Sequence, residues 1–455
     1  MKQHFKPSSP EAYRLMFEGA QAFADIEENG MRIDVPYVDR MIVETGDKIR
    51  EMESSLRNDE VYHTWRKVFG EKADVGSREQ LAHIVFEVLG ETAKKKTAGG
   101  KAATDAEAFE DVDIPFVRRW SDLQKLQKVR GTYLLGIKRE TAEGFLHPSF
   151  NLHFATTYRS SSDSPNFQNW PNRDPRQAKI CRRAIVPRTE NHVLLSVDQK
   201  ALEFRGAAMF WADPAMIAYA SDPALDIHRD MAMDCYQLSK AEVSKDTRSI
   251  AKNKFVFPTL YGSWYKNTGK DMWQFIHRTK LKTKSGVDLY EHLAGKGITS
   301  EGQFIDHTKT VEDAFNARFS TWSDRKEKWW ADYLKNGWFP LMTGFVCHGM
   351  FSKNNLMNTP IQGPSFHCVL WACIQINAWL KKNKMRSCII GQIHDSIELD
   401  VLRDEFDDVL YQVWYIMTQA IRKVWDWIIV PLDVEATCGE TNWFEQKPVE
   451  VKFAA

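Results

Sequence analysis

The chain of 455 residues lacks several features that would narrow its class at once. Its 7 cysteines are odd in number and form no CxxC pair, which argues against a disulfide framework and against a zinc site. No run of about 18 apolar residues occurs, and the first six residues lead into no signal-peptide core. These absences predict a soluble, intracellular, cytoplasmic protein without a membrane partner.

Charge of one sign is not in excess either. Lys and Arg total 61, and Asp and Glu also total 61. A nucleic-acid binder usually leans basic, so any such function has to come from local clustering of charge. The aromatic content of 12% and the 16 Trp residues favour a packed globular protein, and the length allows two or three domains.

Two apolar stretches contain or end on an aspartate. Residues 193–198 are typical of a strand, and residues 389–401 predict a hairpin in which two Ile- and Val-rich runs flank a His-Asp step. Taken alone, either Asp198 or Asp395 is typical of an ordinary turn. Brought together, the two could hold a pair of divalent cations about 3.5–4 Å apart, an arrangement that serves phosphoryl transfer.

A helical stretch with an unusual pattern follows the first aspartate. Arg248 and Lys252 are four residues apart, so their like charges repel on one helical face unless an anion such as a triphosphate lies between them. Phe257 and Tyr261 have the same spacing and form an aromatic strip on which a base could stack. An amphipathic surface helix explains the pattern as well, although Pro258 would disturb it.

Several segments leave their interpretation open. Residues 157–171 are crowded with hydroxyl, amide and guanidinium groups, so they form either a loose loop or a surface for polar recognition. The basic stretch 94–101 is either a solvated turn or a contact for duplex phosphates. Residues 263–310 are polar and are predicted to be an irregular, variable insertion, whereas residues 364–381 predict an apolar helix behind the hairpin.

In this order the motifs resemble those of family A DNA polymerases, the group typified by bacterial DNA polymerase I and several phage replicases. Residues 198–205 are similar to motif A of that family, residues 248–262 to motif B, and residues 392–395 to motif C. The polar segment 158–169 is similar to a stretch that leads into the palm of these enzymes. The likeness extends in family order over roughly residues 15–445.

The resemblance implies an α+β, right-hand fold with a helical thumb, an antiparallel-sheet palm and helical fingers. It divides the chain into an N-terminal helical segment (1–30), the thumb (31–150), a first palm part with motif A (151–220), the fingers with motif B and the insertion near 265–310 (221–340), and a second palm part with motif C (341–455).

The implied function is template-directed DNA synthesis, in which dNTPs are added to a primer 3′-hydroxyl by two-metal-ion nucleotidyl transfer. By this resemblance, Asp198, Asp395 and the backbone carbonyl of Gln199 would hold two Mg²⁺ ions, and Lys252 would be the general acid for the pyrophosphate. Nucleotide contacts are assigned in the same way to His228, Arg248 and Lys252 at the triphosphate, to Phe257 and Tyr261 at the base pair, and to Glu203, which would crowd a ribose 2′-hydroxyl. Contacts with primer–template DNA are assigned to Arg159, Gln362, His394, Asn358 and Lys95.

The chain departs from the family pattern at two important places. Lys252 and Phe257 are five residues apart where four are usual, which predicts a bulge in the fingers helix and leaves open whether Lys252 or Lys254 holds the triphosphate. Ser396 stands where an acid commonly follows the His-Asp pair, so a third carboxylate is missing unless Glu398 substitutes for it.

The N-terminal stretch is too short for a proofreading nuclease, which predicts a polymerase without intrinsic editing. The protein is also expected to be a monomer. Any exonuclease, helicase or processivity factor would then be a separate polypeptide, and the compact layout leans toward a phage protein in a bacterial host cytoplasm. Two alternatives remain. A single-subunit RNA polymerase would be expected to lack a carboxylate at Glu203, and a catalytically decayed nucleic-acid-binding protein would not be expected to keep both aspartates with Arg248 and Lys252.

Overall fold

Helices and antiparallel sheets build the protein, which confirms the predicted α+β class. A computed structural model describes residues 6–93, 103–104, 108–109, 112–172 and 174–453. Its α-helices are Pro10–Asn29, Val35–Arg57, Glu60–Phe69, Arg78–Ala82, Pro115–Lys128, Leu135–Glu140, Pro175–Arg182, Leu202–Trp211, Pro214–Ser221, Ile227–Tyr236, Lys245–Ala251, Phe257–Leu260, Tyr265–Thr279, Leu289–Gly295, Glu301–Arg318, Ser320–Asn336, Lys353–Lys382 and Phe406–Tyr415. Its strands, numbered in chain order, are β1 (Met31–Arg32), β2 (Thr141–Ala142), β3 (Phe145–Leu146), β4 (Ser149–Asn151), β5 (Ser161–Asp163), β6 (His192–Gln199), β7 (Trp338–Pro340), β8 (Val346–His348), β9 (Cys388–Ile393), β10 (Ser396–Leu402), β11 (Val434–Gly439) and β12 (Lys447–Val449).

The central sheet is antiparallel and has the strand order β12–β11–β6–β10–β9. Its central strand β6 is rich in Val and Leu, which pack well on a buried pleated surface. The strand predicted at residues 193–198 is β6, and the hairpin predicted at residues 389–401 is β9 with β10. The first predicted aspartate therefore lies at the end of the central strand, and the second lies in the turn of the adjacent hairpin.

The long helix Lys353–Lys382 packs against β9 and β10. The helix begins eleven residues before the predicted start at residue 364, and it continues through Pro360 and Pro364. A proline in a helix interior costs about 3 kcal/mol or more, yet most residues of this helix are buried, and that burial outweighs the cost. Gly19 on the N-terminal helix faces Leu370 of the long helix, where an added Cβ would come within 2.9 Å of that side chain.

The helices between residues 35 and 128 have a hydrophobic cluster of their own. Its members, which are separate from the main core, include Leu56, Trp65, Phe116 and Trp120. Trp120 Nε1 donates a hydrogen bond to the backbone oxygen of Val75 at 2.6 Å, so the polar N–H group of this buried ring has an acceptor. The described residues of this part of the chain are mainly helical, as predicted.

Residues 263–310 are mostly helical, so the prediction of an irregular segment is wrong. The helices Tyr265–Thr279 and Glu301–Arg318 pack against each other. Trp273 and Phe304 are buried between them, with ring centroids 5.4 Å apart. The exposed faces of these helices carry many charged residues. Because such residues make up much of this segment, its composition did not reveal the apolar stripe of each helix.

No helix within the described residues is long and apolar enough to span a bilayer.

Candidate active site

The two predicted aspartates meet at one end of the central sheet. Asp198 is the second-last residue of β6 and lies directly opposite Ser396, the first residue of β10. Asp395 precedes Ser396, and its backbone oxygen accepts a hydrogen bond from the backbone nitrogen of Gln199 at 3.1 Å. This bond joins the two segments that carry the acids, so a pair almost two hundred positions apart in the chain is held together by sheet pairing.

Negative charge at this point is not fully compensated. Burial, followed by the charges of Asp395 and two glutamates, raises the pKa of Asp198 from 3.8 to about 7. Burial also raises the pKa of Asp395 from 3.8 to about 6, although Arg159 and Lys252 act in the opposite direction. A bound cation would relieve this repulsion.

The donor set fits a magnesium ion. Mg²⁺ prefers oxygen ligands and is usually held by one or two carboxylates together with water and substrate phosphates. No three His, Cys, Asp or Glu side chains of the described residues form a ready-made metal cluster. The paired carboxylates of Asp198 and Asp395 are therefore the donors that this chain offers for such an ion.

A network of amides fixes the turn that carries Asp395. His394 has a left-handed backbone with φ of 51°, and its backbone oxygen accepts a hydrogen bond from Gln392 Nε2 at 2.6 Å. Gln392 Oε1 in turn accepts from Gln168 Nε2 at 2.9 Å and from Ser160 Oγ at 2.8 Å. The polar segment predicted as either a loose loop or a recognition surface thus braces the turn that carries Asp395. Spacing within the sequence gave no signal for this contact.

A π-helical turn takes up the extra residue between Lys252 and Phe257. The motif B helix runs as Lys245–Ala251, continues as the π turn Lys252–Val256 and ends as Phe257–Leu260. Five residues leave a side chain about 140° away from its starting face in an α-helix, whereas i→i+5 hydrogen bonding returns it to nearly the same face. The predicted bulge is confirmed, and it keeps the two side chains on one face.

Lys252 and Lys254 face different surroundings. Lys252 Nζ lies 5.5 Å from the ring centroid of Phe257, and its charge lowers the pKa of both aspartates. Lys254 Nζ lies 5.8 Å from the ring centroid of Phe275 on the following helix. Of the two lysines, Lys252 is therefore the one whose charge acts on the paired carboxylates.

Arg248 and His228 lie beside Lys252. Arg248 Nε donates to Asp226 Oδ2 at 2.7 Å. His228 is only 4% exposed, and its Nδ1 has no hydrogen-bond partner among the described residues. Burial, with the charges of Lys252 and Arg248, lowers the pKa of His228 to about 3, so its imidazole is neutral at pH 7. The three predicted triphosphate residues are brought together, and His228 can contribute a hydrogen bond but no charge.

Glu203 links the motif A helix to the aromatic strip. It lies in the first turn of Leu202–Trp211, as predicted, and its carboxylate accepts hydrogen bonds from the Tyr261 hydroxyl and, at 3.2 Å, from Gln362 Nε2. Phe257 and Tyr261 are stacked, with an interplanar angle of 10° and a centroid separation of 6.1 Å. The predicted aromatic strip therefore exists, and Glu203 fixes one of its ends.

The other predicted DNA contacts lie at different distances from this centre. The charge of Arg159 acts on both Asp395 and Tyr261, which places its guanidinium beside the site. Asn358 lies one helical turn before Gln362, and its Oδ1 is buried without a hydrogen-bond partner in the described part of the chain. Lys95 lies outside the described residues.

Two glutamates near Asp198 differ in their availability. Glu398, the predicted substitute for the missing acid, is 5% exposed and accepts hydrogen bonds from Ser196, Ser396 and Trp443. Glu435 was not identified from the sequence, but it lies directly opposite Asp198 on β11 and is exposed. Its place depends on strand register, which local sequence does not reveal.

Comparison with solved structures supports the fold. The POL domain of Pol1 from M. smegmatis, in a complex with DNA primer-template and dNTP, aligns with a TM-score of 0.74. The alignment covers 95% of this chain and 70% of that one at 22% sequence identity. Since this identity is low, the likeness speaks for the fold alone, and it confirms the right-hand polymerase fold.

Comparison with other sequences supplies the family. The chain is 26% identical over 437 residues to DNA polymerase I of Bacillus subtilis (strain 168) and 28% identical over 441 residues to DNA polymerase I of Lactococcus lactis subsp. cremoris (strain MG1363). Each alignment covers 94% of this chain but 45% of the relative, so the chain spans about half the length of these proteins. The model of DNA polymerase family A matches residues 46–321 and 341–445, a match that runs through residues 265–310. Because this match extends over most of the sequence, the chain belongs to DNA polymerase family A.

Proposed function

We propose that this chain is a template-directed DNA polymerase that adds dNTPs to a primer 3′-hydroxyl. The observation that carries the proposal is the pairing of Asp198 and Asp395 at the end of the central sheet, facing a helix with Lys252 and Arg248. Paired acids opposite paired cations suit a reaction in which a metal-bound triphosphate is attacked. The solved relative from M. smegmatis was described with primer-template DNA and dNTP, which agrees with the same substrates.

The acids at the end of the central sheet would bind the metal ions. Asp198 and Asp395, with the backbone carbonyl of Gln199, would hold two Mg²⁺ ions. When bound, such ions lower the pKa of the attacking hydroxyl and neutralise charge on the triphosphate and the leaving pyrophosphate. The hydrogen bond from the Gln199 backbone nitrogen to the Asp395 backbone oxygen joins the two segments that carry the carboxylates.

Residues of the motif B helix, together with His228, would bind the triphosphate of the nucleotide. Lys252 and Arg248 would bind triphosphate oxygens, and the neutral His228 would donate a hydrogen bond from its ring. Lys252 is also the group positioned to give a proton to the pyrophosphate, because its charge already acts on both aspartates. Arg248 is oriented by Asp226, which holds its Nε and leaves the guanidinium terminus for an anion.

Glu203 and the aromatic strip provide selectivity. Phe257 and Tyr261 would border the nascent base pair, and Glu203 would exclude a ribose 2′-hydroxyl. The hydrogen bonds from Tyr261 and Gln362 hold the Glu203 carboxylate in place, so it could resist displacement by that hydroxyl. On the DNA side, Arg159 and Gln362 would contact the minor groove, His394 would lie by the primer-terminal phosphate, and Asn358 and Lys95 would contact the duplex.

The domain boundaries follow from the same proposal. Residues 31–150 would form the thumb, after an N-terminal segment of residues 1–30, and buried side chains between residues 56 and 123 of this thumb form a hydrophobic cluster separate from the main core. Residues 151–220 and 341–455 would form the palm, because they supply all five strands of the central sheet. Residues 221–340 would form the fingers, which carry the motif B helix.

Templated dNTP incorporation by the purified chain with Mg²⁺ tests the function. We expect Asp395→Ala to reduce incorporation by at least about a hundredfold, the upper range for losing even an outer partner of a metal site. Asp426→Ala, at an exposed acid outside the site, is the matched control and should extend primers as the wild type does. Equal extension by Asp395→Ala and wild type would reject the proposal.

The same assay separates the alternatives. Preferential use of rNTPs would favour an RNA polymerase, and binding of DNA without incorporation would favour a decayed binding protein. A primer with a mismatched 3′ end tests the predicted lack of editing, and its excision by the pure protein would contradict that prediction.

A further inference from the structure

The register of the central sheet suggests what replaces the acid that is missing at Ser396. Ser396 on β10 and Glu435 on β11 each lie directly opposite Asp198 on β6, one on either side. Residues paired in this way point to the same face of a sheet, with Cβ atoms about 4.5–5.5 Å apart. Glu435 therefore stands as close to Asp198 as an acid at position 396 would, on the opposite side.

The neighbours on the other side of Asp198 are already engaged. The Ser396 hydroxyl donates to Glu398 Oε1 at 2.7 Å, and Trp443 Nε1 donates to Glu398 Oε2 at 3.1 Å. The Ser196 hydroxyl donates to the same carboxylate. Glu398 is 5% exposed, so moving it toward the cleft would break these bonds and leave buried donors without an acceptor. Glu398 therefore stays in the sheet as a structural carboxylate.

Glu435 is free in this respect. Its side chain is exposed and makes no hydrogen bond or ion pair within the part of the chain that the structure describes. Asp433, two residues earlier, is by contrast paired with Lys200 at 2.8 Å. The charge of Glu435 nevertheless reaches the site, because it contributes to the raised pKa of Asp198. An unpaired carboxylate in this position can accept hydrogen bonds from the waters of an ion that Asp198 binds.

We propose that Glu435 is the third carboxylate of the metal site and that it holds water on the ion bound by Asp198. This inference rests on the proposed function. Mg²⁺ keeps several of its waters in most protein sites, and an acid beside a ligand can accept hydrogen bonds from them. Such outer partners orient the ligands and commonly contribute about 10–100-fold to metal affinity. Glu435 is thus a positioning residue. It lies on β11, which pairs with β6 on the side opposite to the β9–β10 hairpin that contains motif C.

The affinity for Mn²⁺ tests this role without relying on activity. Mn²⁺ serves as the probe ion, and its binding to the full chain with primer–template DNA is measured by electron paramagnetic resonance. We expect Glu435→Gln to weaken Mn²⁺ binding by about tenfold or more. Glu450→Gln is the matched control, because Glu450 is an exposed acid near the edge of the same sheet and should bind Mn²⁺ as the wild type does. Both variants should melt at the wild-type temperature, since both side chains are exposed.

A third variant separates this inference from the proposed function. Asp198→Asn should lose most Mn²⁺ binding, because it removes a ligand. If Asp198→Asn loses binding while Glu435→Gln binds as wild type does, the role of Glu435 is rejected and the metal site stands. If Asp198→Asn also binds as wild type does, the metal site of the proposed function is rejected. Equal losses in Glu435→Gln and Glu450→Gln would also overturn the inference, since they would reflect net charge alone.

Discussion

The raised pKa of Asp198 predicts that this residue destabilises the metal-free protein at neutral and higher pH. A folded-state pKa of about 7 means that the folded protein holds this proton more tightly than the unfolded chain, in which the pKa is near 3.8. The stabilisation from Asp198 is therefore complete below about pH 4 and is lost as pH rises through 7. Asp198→Asn removes the ionisation, so the variant should be more stable than the wild type at pH 8.

The magnitude follows from the size of the pKa change. At about 1.36 kcal/mol per pKa unit, a rise from 3.8 to about 7 corresponds to about 4 kcal/mol. Asp198 is only partly buried, and water that enters the cleft screens its repulsion from Asp395, so about 1–2 kcal/mol is a reasonable expectation. At an unfolding entropy of about 2.1 cal/mol/K per residue, that is a melting temperature higher by about 1–2 °C for a chain of 455 residues.

Thermal melting in the presence of a chelator measures this effect. Asp198→Asn should melt at a higher temperature than the wild type at pH 8, and the difference should shrink to under about 0.5 °C at pH 4.5. Glu450→Gln should show no gain at either pH. Added Mg²⁺ should stabilise the wild type and not the variant, because binding to the folded state shifts the equilibrium. An equal gain at both pH values, or no gain at pH 8, would refute the reasoning.

Three further predictions concern the nucleotide side of the site. Lys252→Ala should slow incorporation about 10²–10⁴-fold, the usual effect of losing a general acid, whereas Lys254→Ala should stay within a few fold because Lys254 faces Phe275; equal losses in pre-steady-state kinetics would contradict the assignment. Glu203→Ala should raise the ratio of ribonucleotide to deoxynucleotide incorporation about tenfold, as expected when one steric contact is removed, and an unchanged ratio would undercut the steric role. Deleting Asn253 should restore the four-residue spacing at which a regular α-helix keeps Lys252 and Phe257 on one face, so incorporation should stay within about tenfold of the wild type; a larger loss would show that the π turn positions Lys252 in a way that an α-helix cannot.

Patterns within short stretches of the sequence predicted the strand and the hairpin that carry the two aspartates and the bulge in motif B. Short apolar runs identified β6 and the hairpin of β9 and β10, and hence the place of both aspartates. The five-residue spacing in motif B indicated a bulge, because no regular α-helix could keep Lys252 and Phe257 on one face.

Tertiary contacts decided the rest. The helix Lys353–Lys382 continues through two prolines, since the free energy of its burial exceeds their local cost. The helices after motif B were missed because their polar faces dominate the composition, although Trp273 and Phe304 are buried. Glu435 was missed for a different reason: its role depends on which residue of β6 it faces, and sequence alone does not fix the register of strands separated by more than two hundred residues.

Two of the departures from the family pattern, the longer spacing in motif B and the acid missing at Ser396, have different physical remedies. An inserted residue in a helix rotates everything after it, so the only local remedy is a change of helical pitch, and the π turn Lys252–Val256 supplies that change. A lost carboxylate on a strand cannot be replaced from the adjacent residue, because side chains alternate between faces. It can be replaced across the ladder, where Glu435 occupies the same row as Asp198 and Ser396. The sheet thus offers a second position for the acid without any change in backbone, and Glu398 remains free to hold Ser196, Ser396 and Trp443 together.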